Sequence, residues 1–149
     1  MSRYILDTNI VTFSQHGNRH IAQRAKNVQK LLAFPIYLLI FITTVTLEEQ
    51  LKGRLAAISR CATKPELLPI AHQNLLITQR YFCNMNLLDF NESACECFKK
   101  LRQQKINIGT QDLRIAAIAL VNDAILVTQN YQDFIKVPDL KMEDWTVNI

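Results

Sequence analysis

Tyr4-Ile5-Leu6-Asp7-Thr8-Asn9 brings a short apolar run to an abrupt stop at a carboxylate. Three apolar residues followed by Asp-Thr-Asn predict a buried strand whose carboxyl end presents an acid, with Thr8 and Asn9 starting the next helix. Open α/β sheets place their chemistry at such strand ends. An Asp after a strand is also an ordinary turn or helix cap, so Asp7 gains functional meaning only if other acids converge on it.

The rest of the chain repeats the strand-then-helix alternation. A short helix reaches about Gln15, and His16-Gly17-Asn18 breaks it. Apolar Ile21, Ala22, Ala25, Val28, Leu31 and Leu32 recur at helical spacing between Arg19 and Ala33. Beyond Pro35 the run Ile36 to Ile42 predicts a fully buried second strand. A helix opens at Thr46-Leu47-Glu48-Glu49 and runs to about Arg60, Lys64-Pro65-Glu66 is a break, and a further helix spans Leu67 to Phe82 with Leu68, Leu75, Leu76 and Phe82 inward. Met85 to Phe90 predicts a third strand, Glu92 to Gln104 a helix, Leu113 to Val121 the most apolar helix, and Ala124 to Val127 a fourth strand. Trp145 to Val147 adds a final edge strand, with Trp145 as a core anchor. The expected fold is α/β, a three-layer α/β/α sandwich with a mainly parallel central sheet.

Composition bounds the function. A chain of 149 residues with 49% hydrophobic and 20% charged residues and only 3 Gly fits one ordered domain. A net charge of +4 favours a polyanionic partner such as RNA or DNA. The basic run Lys99, Lys100, Arg102 and Lys105 is either a solvated face or a phosphate-contacting surface. The four cysteines lack paired C-x-x-C spacing, which argues against zinc and for free thiols in a reducing cytoplasm. Asp7 comes too early for a signal peptide, and the apolar stretch Leu31 to Leu47 is too short and too interrupted for a membrane span, so no membrane partner is expected.

In a parallel sheet all strands end on one rim. Asp7 ends strand one, Glu49 lies shortly after strand two, and Asn130 and Asp133 follow strand four. Glu49 has two readings: the glutamate of a Thr46-x-x-Glu49 capping box, or an acid of the site. Asp112 enters the first turn of a helix apolar nearly all round, where a carboxylate suits the helix dipole but has little bulk water. It joins the others if that helix starts at the rim. Asp89, before the helix-capping Asn91, is either a further ligand or structural. Gathered carboxylates repel one another and take up protons unless a cation offsets them. Oxygen ligands without His or Cys select Mg²⁺ or Mn²⁺, and such an ion suits phosphodiester hydrolysis.

Leu6-Asp7-Thr8-Asn9, Thr44-Val45-Thr46 with Glu49 and Gly53, Ile108-Gly109 with Asp112 and Ile115-Ala116-Ala117, and Leu126-Val127-Thr128 with Asn130, Asp133-Phe134, Val137-Pro138, Leu140 and Trp145 closely resemble the VapC-type toxins of the PIN-domain family. The resemblance runs from about residue 4 to 146. It implies a Mg²⁺- or Mn²⁺-dependent endoribonuclease, usually a homodimer, held inactive by a cognate antitoxin protein. Carried over, Asp7 and Asp112 become the principal metal ligands and Glu49 the third acid, with Asn9, Thr128 and Asn130 in support. Many relatives have Asp where this chain has Asn130, and Asp133 is then the acid that completes the set. Two other functions compete: a non-catalytic RNA- or protein-binding domain, and a haloacid-dehalogenase-like phosphatase using Asp7 as nucleophile. The second Asp usual in that phosphatase signature is replaced here by Asn9.

Overall fold

The structure, a computed structural model, describes residues 2–32 and 39–147. Its centre is a five-stranded, all-parallel sheet in the order β3-β2-β1-β4-β5, with β1 Tyr4–Leu6, β2 Ile40–Thr43, β3 Asn86–Leu88, β4 Ile125–Val127 and β5 Lys141–Glu143. The α-helices among the described residues are α1 Thr8–Gln15, α2 Arg19–Leu32, α3 Thr44–Arg60, α4 Leu68–Cys83, α5 Glu92–Gln103, α6 Thr110–Val121 and the one-turn α7 Tyr131–Phe134.

Side-chain alternation explains why both faces of this sheet are covered. Ile5 and Leu126 point into one apolar cluster with Ala94, Phe98, Leu101, Leu113, Ile115 and Phe134, from α5, α6 and α7. Their neighbours Tyr4, Leu6 and Val127 point the other way, to Ile10, Val11, Ile21, Phe82 and Trp145. A strand flanked on both faces must be apolar at every position, and β1 is buried throughout. The three-layer sandwich follows directly. As expected from its composition, α6 is the helix of the interior, with Ile115 to Ala119 fully buried.

Several boundaries and contacts depart from the sequence reading. The ladder of the second strand covers Ile40–Thr43, while residues 36–38 of the expected strand lie outside the described residues. The edge strand is Lys141–Glu143 rather than Trp145 to Val147. After Val137-Pro138-Asp139, where Asp139 takes φ 62, pairing with β4 begins at once. Trp145 instead tucks under the sheet, fully buried, 5.2 Å from the Tyr4 ring centroid and donating to Glu143 at 2.7 Å. That confirms its anchoring role. Leu76 is exposed rather than inward, because α4 uses Ala71, Thr78 and Phe82 as its buried stripe.

Candidate functional site

The strand order reverses between β1 and β4. The chain first builds outward from β1 through β2 to β3, then returns to β1's free side with β4 and β5. At such a switch point the crossovers leave in opposite directions and open a crevice at the strands' carboxyl ends. Asp7 lies at the end of β1 and Thr128 at the end of β4, on the two lips of that crevice.

Asp7 is only 3% exposed. Its Oδ1 accepts the Thr8 amide at 2.7 Å, so it caps α1, and its Oδ2 accepts the Thr128 hydroxyl at 2.9 Å. Capping α1 therefore does not keep Asp7 from the crevice: one carboxylate does both. Burial pushes the Asp7 carboxyl up, opposed by the bonds from Thr128 and Thr8, with the Glu49 charge raising it further. The Thr128 hydroxyl in turn accepts the Asn130 amide at 3.0 Å, so the turn after β4 fixes its orientation.

Glu49 reaches the rim because α3 starts earlier than its sequence suggested. Thr43, not Thr46, is the N-cap, and its hydroxyl accepts the Thr46 amide at 3.1 Å. The Thr46–Glu49 capping box is therefore absent, and the Glu49 carboxylate instead accepts a short hydrogen bond from the Thr8 hydroxyl. Thr8 and Thr46 hydroxyls lie 3.1 Å apart, which makes a partly buried threonine bridge between α1 and α3. Glu48, one position away, turns outward to Lys52 at 2.6 Å and Gln111 at 3.4 Å.

Asp112 enters from the first turn of α6, behind the uncapped Gly109. Its carboxyl is pushed up to about 6, first by burial and then by the charges of Asp7, Glu49 and Asp133. The Gln111 side chain, in the same first turn, reaches Glu48 at 3.4 Å, so the amino end of α6 lies beside the start of α3 at the rim. No cation on the chain offsets the inner acids: Asp7, Glu49 and Asp112 form no ion pair among the described residues.

Asp133 stands at the edge of this group in a different state. Lys136 pairs with one of its oxygens at 2.9 Å and Asn130 donates to the other at 3.0 Å. Those two bonds hold its carboxyl below the ordinary range. Asn130 and Asp133 thus act together, where the sequence left a choice between them. Asn9 is exposed and makes no hydrogen bond to Asp7 among the described residues; the support expected of it comes from Thr128. Asp89 is likewise exposed, next to Asn91, whose side chain caps α5 by accepting the Ala94 amide. Thr8, missed as a site residue, could have been found from its position beside a buried acid.

The donor set is all oxygen, carboxylate and hydroxyl, which fits a hard divalent cation and not zinc. Among the described residues no group of three acids is drawn together as a finished coordination set. The repulsion on Asp112 is what such an ion would relieve. An apolar cleft of about 380 Å³, lined by Leu6, Ile21, Ala25, Tyr81, Met85 and Trp145 among others, lies away from these acids and offers no carboxylate.

No protein-family model matches the sequence. Ribonuclease VapC1 of Haemophilus influenzae (strain R2866) is 33% identical over 147 residues, covering 96% of this chain and 98% of the relative. The chain belongs to the VapC ribonuclease family. Another relative, the tRNA(fMet)-specific endonuclease VapC of Salmonella typhimurium (strain LT2), is 24% identical over 151 residues, covering 97% of this chain and 99% of its own. Among solved structures, VapBC-1 from nontypeable Haemophilus influenzae superposes with a TM-score of 0.73 at 26% identity, covering 97% of this chain and 98% of that one. Membership in the VapC family bears out the resemblance drawn from the motifs and removes the ground for the phosphatase alternative. No helix among the described residues is long and apolar enough to cross a membrane.

Proposed function

We propose that this chain is a divalent-metal-dependent endoribonuclease and the toxin of a type II toxin-antitoxin pair. The observation that carries the reading is the rim itself: Asp7, Glu49 and Asp112 arrive from three elements at the switch point with no basic partner, and burial, reinforced by the neighbouring acids, holds the Asp112 carboxyl at about 6.

Asp7 and Asp112 would hold the ion, with Glu49 as the third acid. Bound there, Mg²⁺ or Mn²⁺ supplies charge stabilisation at phosphate oxygens and a water acidic enough to attack near neutral pH. The chain's residues do the positioning. Thr128 and the Thr8 amide fix both Asp7 oxygens, and the Thr8 hydroxyl fixes Glu49. These bonds keep the acids in place against mutual repulsion before substrate arrives. Asp133, neutralised by Lys136, shapes the outer edge of the site and adds little charge.

The partners follow from the family. The structural relative from Haemophilus is a VapBC complex, and we extend to this chain an antitoxin that inhibits by covering the rim. A homodimer is the expected assembly, and the exposed Leu67, Ile70 and Ile77 along the start and outer face of α4 are the apolar surface that a second copy would bury. The test of function is cleavage of total RNA and of a tRNA pool by the purified chain with Mg²⁺ or Mn²⁺. Cleavage that needs the ion and disappears in Asp7→Ala and Asp112→Ala, with circular dichroism unchanged, supports the reading. Ion-independent cleavage, or activity retained in both variants, refutes it.

A further inference from the structure

Next to the acids runs a second, polar groove of about 330 Å³ between α1 and α3. Thr8 and Glu49 line its inner end, and from there it passes Thr12, Gln15, His16, Gln50 and Gly53 to Arg54 and Arg60. It is therefore continuous with the rim, yet its charge reverses along its length. Beyond Glu49 the wall carries no acid, while two arginines and a histidine face it.

Three features of this groove are not used up inside the chain. Arg60 ends α3 with no ion pair or hydrogen bond among the described residues, and Arg54 uses only its Nε, to the Thr78 hydroxyl at 2.9 Å. His16 commits Nδ1 to the Thr12 carbonyl at 2.7 Å, which leaves its other ring nitrogen without a partner among the described residues. Gly53 lies in mid-helix, where glycine costs about 0.5–1 kcal/mol relative to alanine. A Cβ there would meet no atom within 4 Å, so internal packing does not require the glycine. Its bare backbone instead lets something outside the chain come close to α3. Gln15 donates to Gln50 and Gln50 to the Thr12 hydroxyl, both at 3.2 Å, so a chain of polar groups runs along the same wall.

We propose that this groove carries the single-stranded RNA flanking the scissile phosphate, with Arg60, Arg54 and His16 binding its phosphates, Gly53 admitting its backbone and Gln15 and Gln50 facing its bases. The inference rests on the nuclease reading above. Charge complementarity selects the occupant: a polyanion fits a wall of unpaired arginines. From Glu49 to Arg60 the helix rises by about 16 Å, enough for roughly five nucleotides at a stacked rise of about 3.4 Å. The residues named are positioning and specificity residues, and the chemistry stays with the acids.

The test uses the full chain in a cleavage-dead Asp7→Asn background, with fluorescence anisotropy of a labelled twelve-nucleotide RNA across a salt series. Paired substitution Arg60→Glu with His16→Glu is expected to weaken binding at least ten-fold and to lower the salt slope by about 0.7 for each phosphate that the variant no longer neutralises. Lys100→Glu, the same charge change on α5, should leave binding within two-fold. Gly53→Leu should weaken binding while thermal unfolding stays at or above that of the parent, an outcome that a merely structural glycine would reverse. In the active background the groove variants should raise KM for the twelve-mer more than they lower kcat. Unchanged RNA binding, equal loss in Lys100→Glu, or an effect confined to self-association or antitoxin binding overturns the groove. Absence of cleavage by the parent chain would count against the nuclease reading alone, because the anisotropy arm does not depend on it.

Discussion

Asp112 and Asp133 face the same rim and interact with each other, yet their carboxyls are driven in opposite directions. Asp112 is half-buried among like charges and is pushed up to about 6, whereas Asp133 has a lysine and an amide on its two oxygens and is held low. The chain supplies Asp133 with its counter-ion and withholds one from Asp112. A fold that gathers acids without neutralising them gives up stability for a site that binds a cation from solution. Under the proposed function, acids of the first kind would be the ligands, and acids of the second kind the edge that shapes the pocket.

The largest effect should come from removing each acid in turn. Asp112→Ala is expected to lower RNA cleavage by roughly two to three orders of magnitude, the scale of losing a preorganised electrostatic group, and Asp133→Ala by about ten-fold or less. Equal losses in single-turnover assays would erase the distinction. Thr128→Val comes next. It keeps the shape but strips the buried Asp7 oxygen of its donor and the Asn130 amide of its acceptor. A loss of about 1–3 kcal/mol in urea denaturation at neutral pH is expected, and a change within error would show that Asp7 does not depend on this bond.

These contrasts also separate what the sequence disclosed from what it hid. The order of elements, the buried α6 and the acid at the end of β1 were legible, because apolar runs ending at Asp or Gly report on burial and strand ends. The carbonyl-side rim was legible too, since parallel topology alone sends Asp7, Glu49 and Asp133 to one edge. The start of α3 was not. Thr43, Thr44 and Thr46 are chemically alike, and only the backbone shows which of them caps the helix, so the sequence left Glu49 open between a capping box with Thr46 and a place at the rim. The pairing of Asp133 was hidden for a similar reason: Lys136 lies one turn away and looks like any surface lysine until the distance is known. The edge strand lies at Lys141–Glu143 rather than at Trp145, whose indole packs on Tyr4 beneath the sheet.

A smaller effect tests the same contrast through stability. In the unfolded chain Asp112 titrates in the ordinary carboxylate range near 4, and in the fold at about 6. The folded state therefore binds more protons between those values. Its metal-free stability should fall as pH rises through that window, with the favourable contribution present below it and lost above. After discounting for partial exposure the change is about 1 kcal/mol, and Asp112→Asn should recover it at pH 7.5. A metal-free Asn variant less stable than the parent would contradict the repulsion. Smallest of all, Lys136→Ala should release Asp133 upward toward ordinary titration and move the acid limb of the cleavage profile to higher pH. A ten-fold loss of turnover would instead place Lys136 in the machinery.

The most direct measurement is calorimetric titration of the metal-free chain with Mn²⁺ at pH 6 in two buffers of different ionisation enthalpy. If the rim is a set of acids waiting for a cation, binding should release a fraction of a proton. That release should vanish in Asp112→Asn together with most of the affinity. Binding without proton release, or with affinity unchanged in that variant, would contradict the account.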